Sequence, residues 1–283
     1  MQDTKTPQGV RDSVSQHAKE VSRTLSIMHA PIEIQQGCTM ASTAFYKQPV
    51  ALNRERHAQF KLAIAPNHSA FAAHTNAVPI TGTEFIEAAR DYPLLFARDA
   101  DGSLSMCALV GLRDNENLMV DAAGCWAAGT YVPAFVRRYP FVLSTAPGSD
   151  QLTVCLDEAY PGLSTAQGEP LFDTAGAESP YLKNMLDFLR VFNNEVQRTA
   201  LFAKTLDEMG LLVSKVVTVE RDGQTHTLQG LWVVDEAKYR ALDDARVIEL
   251  FRHGLLPWVE AHLLSLGNLN RLLQRWPRAA LAS

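Results

Sequence analysis

"FVRRYPFVL", Phe135 to Leu143, sets two arginines beside a Tyr-Pro step inside an otherwise apolar run. Proline pushes the residue before it toward extended backbone, so a helix arriving from Val132 must stop at Tyr139 and a strand can begin at Phe141. The same grammar occurs upstream in "FIEAARDYPLLFA", Phe85 to Ala97, where Tyr92 and Pro93 divide a helix-compatible run from an apolar one. Each apolar run is followed by a turn, "RDADGS" or "TAPGSD", and then by a second strand-like run, "LSMCALVGL" or "QLTVCLDE". The unit is helix, Tyr-Pro, β-hairpin. A looser third unit lacks the Tyr-Pro: a helix ends at Met209 before Gly210, and "LLVSKVVTVE", the turn "RDGQ" and "THTLQGLWVVDE" follow. Internal duplication and chance similarity of short pieces are both open readings.

The arginines have a mechanical explanation. A cation in a last helical turn opposes the negative end of the helix dipole, a contribution of ~0.3–1 kcal/mol. A tyrosine at that point can cover the core with its ring and keep its hydroxyl in water. Arg90, Arg137 and Arg138 are therefore expected as exposed helix-end charges. The alternative is a ligand-binding role for Arg137 and Arg138, because guanidinium groups grip anions bidentately.

Outward from the hairpins the chain turns helical. Ser179 and Pro180 mark an N-cap and first helical position, and Leu182, Met185, Leu186, Leu189, Phe192, Val196, Ala200, Ala203 and Leu206 keep helical spacing up to Met209. "ALDDARVIELFRHG" is a helix stopped by Gly254, and "LPWVEAHLLSLGNLNRLLQRW" is one or two more, divided near Gly267. The expected fold is a single α+β domain over residues 44–283. It has an antiparallel or mixed sheet of helix–β-hairpin units and a helical C-terminal third. Consecutive hairpins argue against a doubly wound parallel sheet. Residues 1–43 carry little apolar periodicity and read as a weakly ordered extension, with Met40 as an alternative start.

The 283 residues are 47% apolar and 20% charged with a net charge of −5, which disfavours nucleic acid and anionic lipid as partners. No run approaches the roughly 18 apolar residues of a membrane span. The polar N-terminus lacks the apolar core of a signal peptide, and no two of Cys38, Cys107, Cys125 and Cys155 form a C-x-x-C pair. Buried reduced thiols and a cytoplasmic location are expected.

Candidate chemistry gathers at three places. "LNRERH" concentrates Asn53, Arg54, Glu55, Arg56 and His57, where a carboxylate or phosphate could be held and His57 is the first choice for a functional histidine. "CLDEAYPG" sets Asp157 and Glu158 directly after an apolar strand, and "VVDEAK" does the same with Asp235 and Glu236. Strand ends often supply catalytic or metal-binding carboxylates, yet one acid at each site serves equally as a cap. If those two strands were neighbours, four carboxylates would suit a hard cation such as magnesium. His68 and His74 stand six apart, which is not the i, i+4 spacing of a helical metal pair. No phosphate loop, dinucleotide fingerprint, nucleophile elbow or zinc pattern occurs, so no cofactor is expected. His262 reads as a satisfied histidine in an amphipathic helix. Trp126, Trp232, Trp258 and Trp276 read as core or partner contacts, with a protein partner expected at the C-terminal helices around Trp258 and self-association open on the same face.

Several stretches taken together resemble one family: "FYKQPVALNRERH", "NAVPITGTEF", "ALVGLRDNENLMVDAAGCW", "YVPAFVRRYPFVL", "CLDEAYPG", "LWVVDEAKYRALDD" and "WVEAHLLSLGNLNRLL". In this order they look like the bacterial SapC family, over about Phe45 to Leu273. The resemblance implies a cytoplasm-like protein of Proteobacteria, associated by name with a surface layer. Related genes lie near those for outer-membrane TonB-dependent receptors. It brings no reaction and no catalytic residue. The expected function is a non-catalytic accessory or binding protein of a surface-layer or outer-membrane uptake pathway. The alternatives are an enzyme acting on a small acidic or peptide-like substrate through His57, Asp157 and Glu158, and a structural surface-layer subunit.

Overall fold

Strand β1 (Pro49–Ala51) leads to Asn53, whose side chain accepts the backbone N–H groups of Glu55 and Arg56 and so caps the one-turn helix α1 (Arg54–His57). After the two-residue strand β2 (Lys61–Leu62), the pattern returns in β3 (Ala77–Pro79). There Thr81 donates its N–H and hydroxyl to Glu84 at the entry of a 3₁₀ turn (Gly82–Glu84) that runs into α2 (Phe85–Ala88). Tyr92 and Pro93 follow, then the hairpin β4 (Leu94–Arg98) and β5 (Leu104–Leu109). Helix α3 (Ala134–Arg137), Tyr139 and Pro140 (joined by a cis peptide) precede the second hairpin, β6 (Phe141–Thr145) and β7 (Leu152–Asp157). This computed structural model describes residues 45–99, 102–145, 152–221 and 224–276; the extension expected over residues 1–43 lies outside them.

The two Tyr-Pro hairpins are copies at the level of the backbone. In each, the leading strand pairs antiparallel with the second hairpin strand: β3 with β5, and β1 with β7. Leu109 N–H bonds to Pro93 O and Asp157 N–H to Pro140 O, both at 2.9 Å. Ile80 N–H reaches Met106 O as Leu52 N–H reaches Val154 O, and Val110 N–H reaches Asn76 O as Glu158 N–H reaches Gln48 O. Thr81 thus corresponds to Asn53, Phe85 to His57, and Leu109-Val110 to Asp157-Glu158. The second copy is discontinuous, because the whole first copy lies between α1 and α3.

Two short strands, β8 (Leu163–Ser164) and β9 (Glu169–Pro170), flank β2. Helix α4 (Pro180–Glu208) has Ser179 as N-cap and Pro180 at its first position, as expected, and runs unbroken through Asn193 and Asn194. The third hairpin, β10 (Leu212–Arg221) and β11 (Gln224–Val234), adds to the first through β11 and β4. It closes on a similar bond, Asp235 N–H to Leu211 O at 2.8 Å. The sheets are β10-β11-β4-β5-β3, β1-β7-β6 and β8-β2-β9, and every ladder is antiparallel. Helices α5 (Glu236–Arg240), α6 (Asp244–Arg252), α7 (Leu256–Ser265) and α8 (Leu269–Arg275) complete the α+β fold, the last two divided by a 3₁₀ turn at Leu266–Asn268. None of the described helices is long and apolar enough to cross a membrane.

Helix α4 explains how the copies are joined. Its 29 residues span about 43 Å at 1.5 Å per residue. Leu182, Leu186 and Leu189 on its first half fill a smaller core with Leu52, Phe141, Leu156 and Leu171 beside the second copy. Phe202, Ala203 and Leu206 on its second half fill the larger core with Phe85, Phe96 and Trp258 under the first copy. Each such buried side chain contributes roughly 1.5–3 kcal/mol of hydrophobic stabilisation.

Candidate functional site

The "LNRERH" helix and the β7 strand end meet. Because β1 and β7 are neighbours, α1 leaves β1 alongside the residues that follow Leu156. Asp157 has no exposed surface and accepts N–H groups from Lys47 and Gln48 (both 2.9 Å) and Ala159 (3.1 Å), with the Tyr139 hydroxyl at 3.2 Å. His57 is equally buried. Its Nδ1 lies 3.0 Å from the Asn53 N and 2.9 Å from Asn53 O, and its Nε2 lies 3.1 Å from Glu158 Oε1. Arg56 grips both oxygens of Glu158 at 2.5 and 2.6 Å, and this fork holds the Glu158 carboxyl below the usual carboxylate range. Arg54 is exposed and stands outside this network.

The paired arginines separate. Residues 137 and 138 point about 100° apart on a helical turn, so one faces solvent and the other does not. Arg137 is exposed, donates to Val132 O and the Tyr131 hydroxyl, and lies over the rings of Tyr131 and Phe188. Arg138, expected as an exposed charge, is buried at 7% exposure between the rings of Phe135 (4.1 Å) and Phe192 (5.0 Å). Its Nε and Nη2 find no hydrogen-bond partner among the described residues. Arg90 matches its expectation, exposed and paired with Glu87 at 2.7 Å. The tyrosines do not keep their hydroxyls in water. Tyr92 donates to Tyr131 O and accepts from Trp126 Nε1, and Tyr139 donates to Asp157. Burial and the Asp157 charge push the Tyr139 hydroxyl far above the ordinary phenol value.

Asp235 and Glu236 stand apart from this site. Asp235 caps α5 by accepting N–H from Ala237 and Lys238, while Glu236 is exposed and pairs with Arg240. Their strand, β11, belongs to a different sheet from β7, so the four carboxylates do not converge. Among the described residues no group of three or more His, Cys, Asp or Glu side chains is placed to hold a metal ion. Trp258, read as a core or partner contact, is a core residue: its ring packs on Phe85 and Phe202 and fills the space over Gly82. His262 is a satisfied core histidine: Nδ1–H donates to Leu94 O and Nε2 accepts from Val234 N–H, and burial pushes it down to about 4. Cys155 is buried and Cys107 half-buried, and desolvation pushes their thiols up to about 11 and about 12, away from thiolate reactivity.

Beside the Asp157 network opens a cleft of about 430 Å³. Its apolar part is Phe45, Phe71, Tyr139 and Tyr160; Phe71 stacks on Tyr139 at 3.9 Å, and Tyr160 meets Tyr139 edge-on at 5.3 Å. Its polar part is Lys47, Asn67, His68, His74 and Thr75. Tertiary structure thus brings His68 and His74 into one cleft, with no third metal ligand among the described residues. Lys47, Phe71 and Tyr160 carry no local signal that separates them from ordinary surface and core residues. Tyr139 had one, its place before Pro140, which reads as punctuation.

The hairpin copies, the polar network and the cleft define an α+β protein with a small-molecule-sized recess at its second module. The SapC family profile matches residues 52–272, and the chain belongs to that family. No curated protein and no solved structure matches the chain.

Proposed function

We propose that the chain is a non-catalytic binding protein, an accessory to a surface-layer or outer-membrane uptake pathway that acts from the cytoplasm. The pathway rests on the family's association with a surface layer. The binding role rests on one observation: His57 and Asp157, the groups the enzyme reading would use, are spent on structure, while the cleft beside them is open. A general base must come within hydrogen-bond reach of its substrate. His57 has no exposed surface and both ring nitrogens engaged, and Asp157 is fully enclosed by donors. Neither can touch a molecule in the cleft. The cleft itself has the size and the apolar-with-few-polar-groups lining of a ligand seat.

The test is incubation of the purified protein with a small-molecule extract of its own cells. Native mass spectrometry should find a bound species, and that species should be recovered unaltered. Time-dependent loss of one compound with growth of another would install the enzyme reading. Fractionation that places the chain in the cell-surface array would favour the structural-subunit reading.

A further inference from the structure

We propose that the cleft takes a small organic anion with a flat apolar body, of the aromatic carboxylate class. This rests on the reading of the cleft as a binding seat and adds the chemistry of its occupant.

Charge gives the sign. The chain carries 31 acidic and 26 basic residues, yet among the described residues the cleft is lined by Lys47, His68 and His74 and by no carboxylate. A recess of that composition attracts anions and repels cations. Asp157 lies behind Tyr139, whose hydroxyl donates to it. It has no exposed surface, and its oxygens are occupied by three backbone N–H groups and the Tyr139 hydroxyl. Glu158 is held in the fork of Arg56. Arg138 adds a positive charge behind the floor: the Phe135 ring beneath its guanidinium packs edge-on against Phe45 at 5.2 Å. A buried guanidinium stays charged, and two of its nitrogens are unpartnered among the described residues.

The floor gives the body. Phe45, Phe71, Tyr139 and Tyr160 form a continuous set of ring contacts, with Phe71 edge-on to Phe45 at 5.9 Å. Such rings present faces and edges that suit a flat unsaturated body better than a polar chain. About 430 Å³ is at the small end of small-molecule sites, enough for one ring and a short acidic arm. Lys47 is exposed, so its ammonium group can meet the acid while the ring enters.

The experiment is calorimetric titration of the full chain with phenylacetate, its neutral isostere phenylacetamide, and acetate. Phenylacetate should bind at a single site, and phenylacetamide and acetate each about tenfold more weakly or worse, the loss expected for one charge-assisted contact or for the apolar body. Lys47→Gln should remove the advantage of phenylacetate over phenylacetamide and leave the amide's affinity and the melting temperature unchanged. His74→Gln, also at an exposed position, gives a second, independent reading of the same loss. Equal affinity for acid and amide in the native chain overturns the anionic occupant while leaving the binding seat intact. No binding of phenylacetate overturns the inference outright, and the seat itself then stands or falls on the extract experiment.

Discussion

The two Tyr-Pro modules share a pattern of strand pairing and differ in filling. In the first, β5 ends in Leu109 and Val110 and the helix that follows the cap seats Phe85, all buried and apolar. In the second, the corresponding places hold Asp157, Glu158 and His57. An apolar filling contributes stability through burial alone and tolerates any well-shaped neighbour. A polar filling must be satisfied atom by atom, or each orphaned group costs its desolvation. The second module meets that demand. In doing so it fixes particular atoms: Asp157 holds the backbone at Lys47 and Gln48 and the hydroxyl of Tyr139. Lys47 and Tyr139 are walls of the cleft. The first module is built for packing, and the second trades packing for position.

The harshest test of that contrast gives the second module the first module's residue. Asp157→Leu would strand three backbone N–H groups, so it should cost at least ~3 kcal/mol by denaturant unfolding. A loss below 1 kcal/mol would show that the polar filling is incidental. Next in size is a pH effect that belongs to the first module alone. His262 clasps β4 to β11 and is held neutral, with its titration depressed to about 4. The unfolded chain takes up its proton near pH 6.5 and the folded one does not. Stability should therefore be complete above pH 6.5 and fall by roughly 3 kcal/mol as pH drops to 4. His262→Gln should be less stable at pH 7 but should lose that part of the slope.

Gly82 and Arg54 occupy matching places just after their caps, and their substitution should separate the modules again. A methyl group at residue 82 would sit 2.2 Å from the Trp258 ring, so Gly82→Ala should cost about 2 kcal/mol, while Arg54→Ala, at an exposed position, should be nearly neutral in the same melting experiment. Smallest is His57→Phe, which restores the first module's ring and keeps its bulk. Losing the Asn53 and Glu158 contacts should cost about 1–2 kcal/mol. If that variant were instead more stable, the histidine would be retained for something other than the fold.

Much of this architecture was legible in the chain. Both Tyr-Pro hairpins, the third hairpin, the Ser179-Pro180 helix start and the Gly254 stop stand where the residues put them. The site was only half legible. "LNRERH" and "CLDE" were visible as candidates, but whether they met was not, because Glu158 and His57 are 101 residues apart and their meeting depends on β1 pairing with β7. The residues around Trp258 left core and partner contact both open, and only its packing against Gly82 and Phe202 reveals it as core.

By itself the sequence determined the punctuation: proline, glycine and capping side chains act on their immediate neighbours, and those effects survive in any tertiary context. It also determined the family. Tertiary structure alone decided which of two adjacent arginines is buried, that the second module's acids face inward, and that His68 and His74 share a recess with Lys47. The reason is that a side chain's partner is set by packing between elements far apart in the chain, and local sequence preference does not encode that geometry.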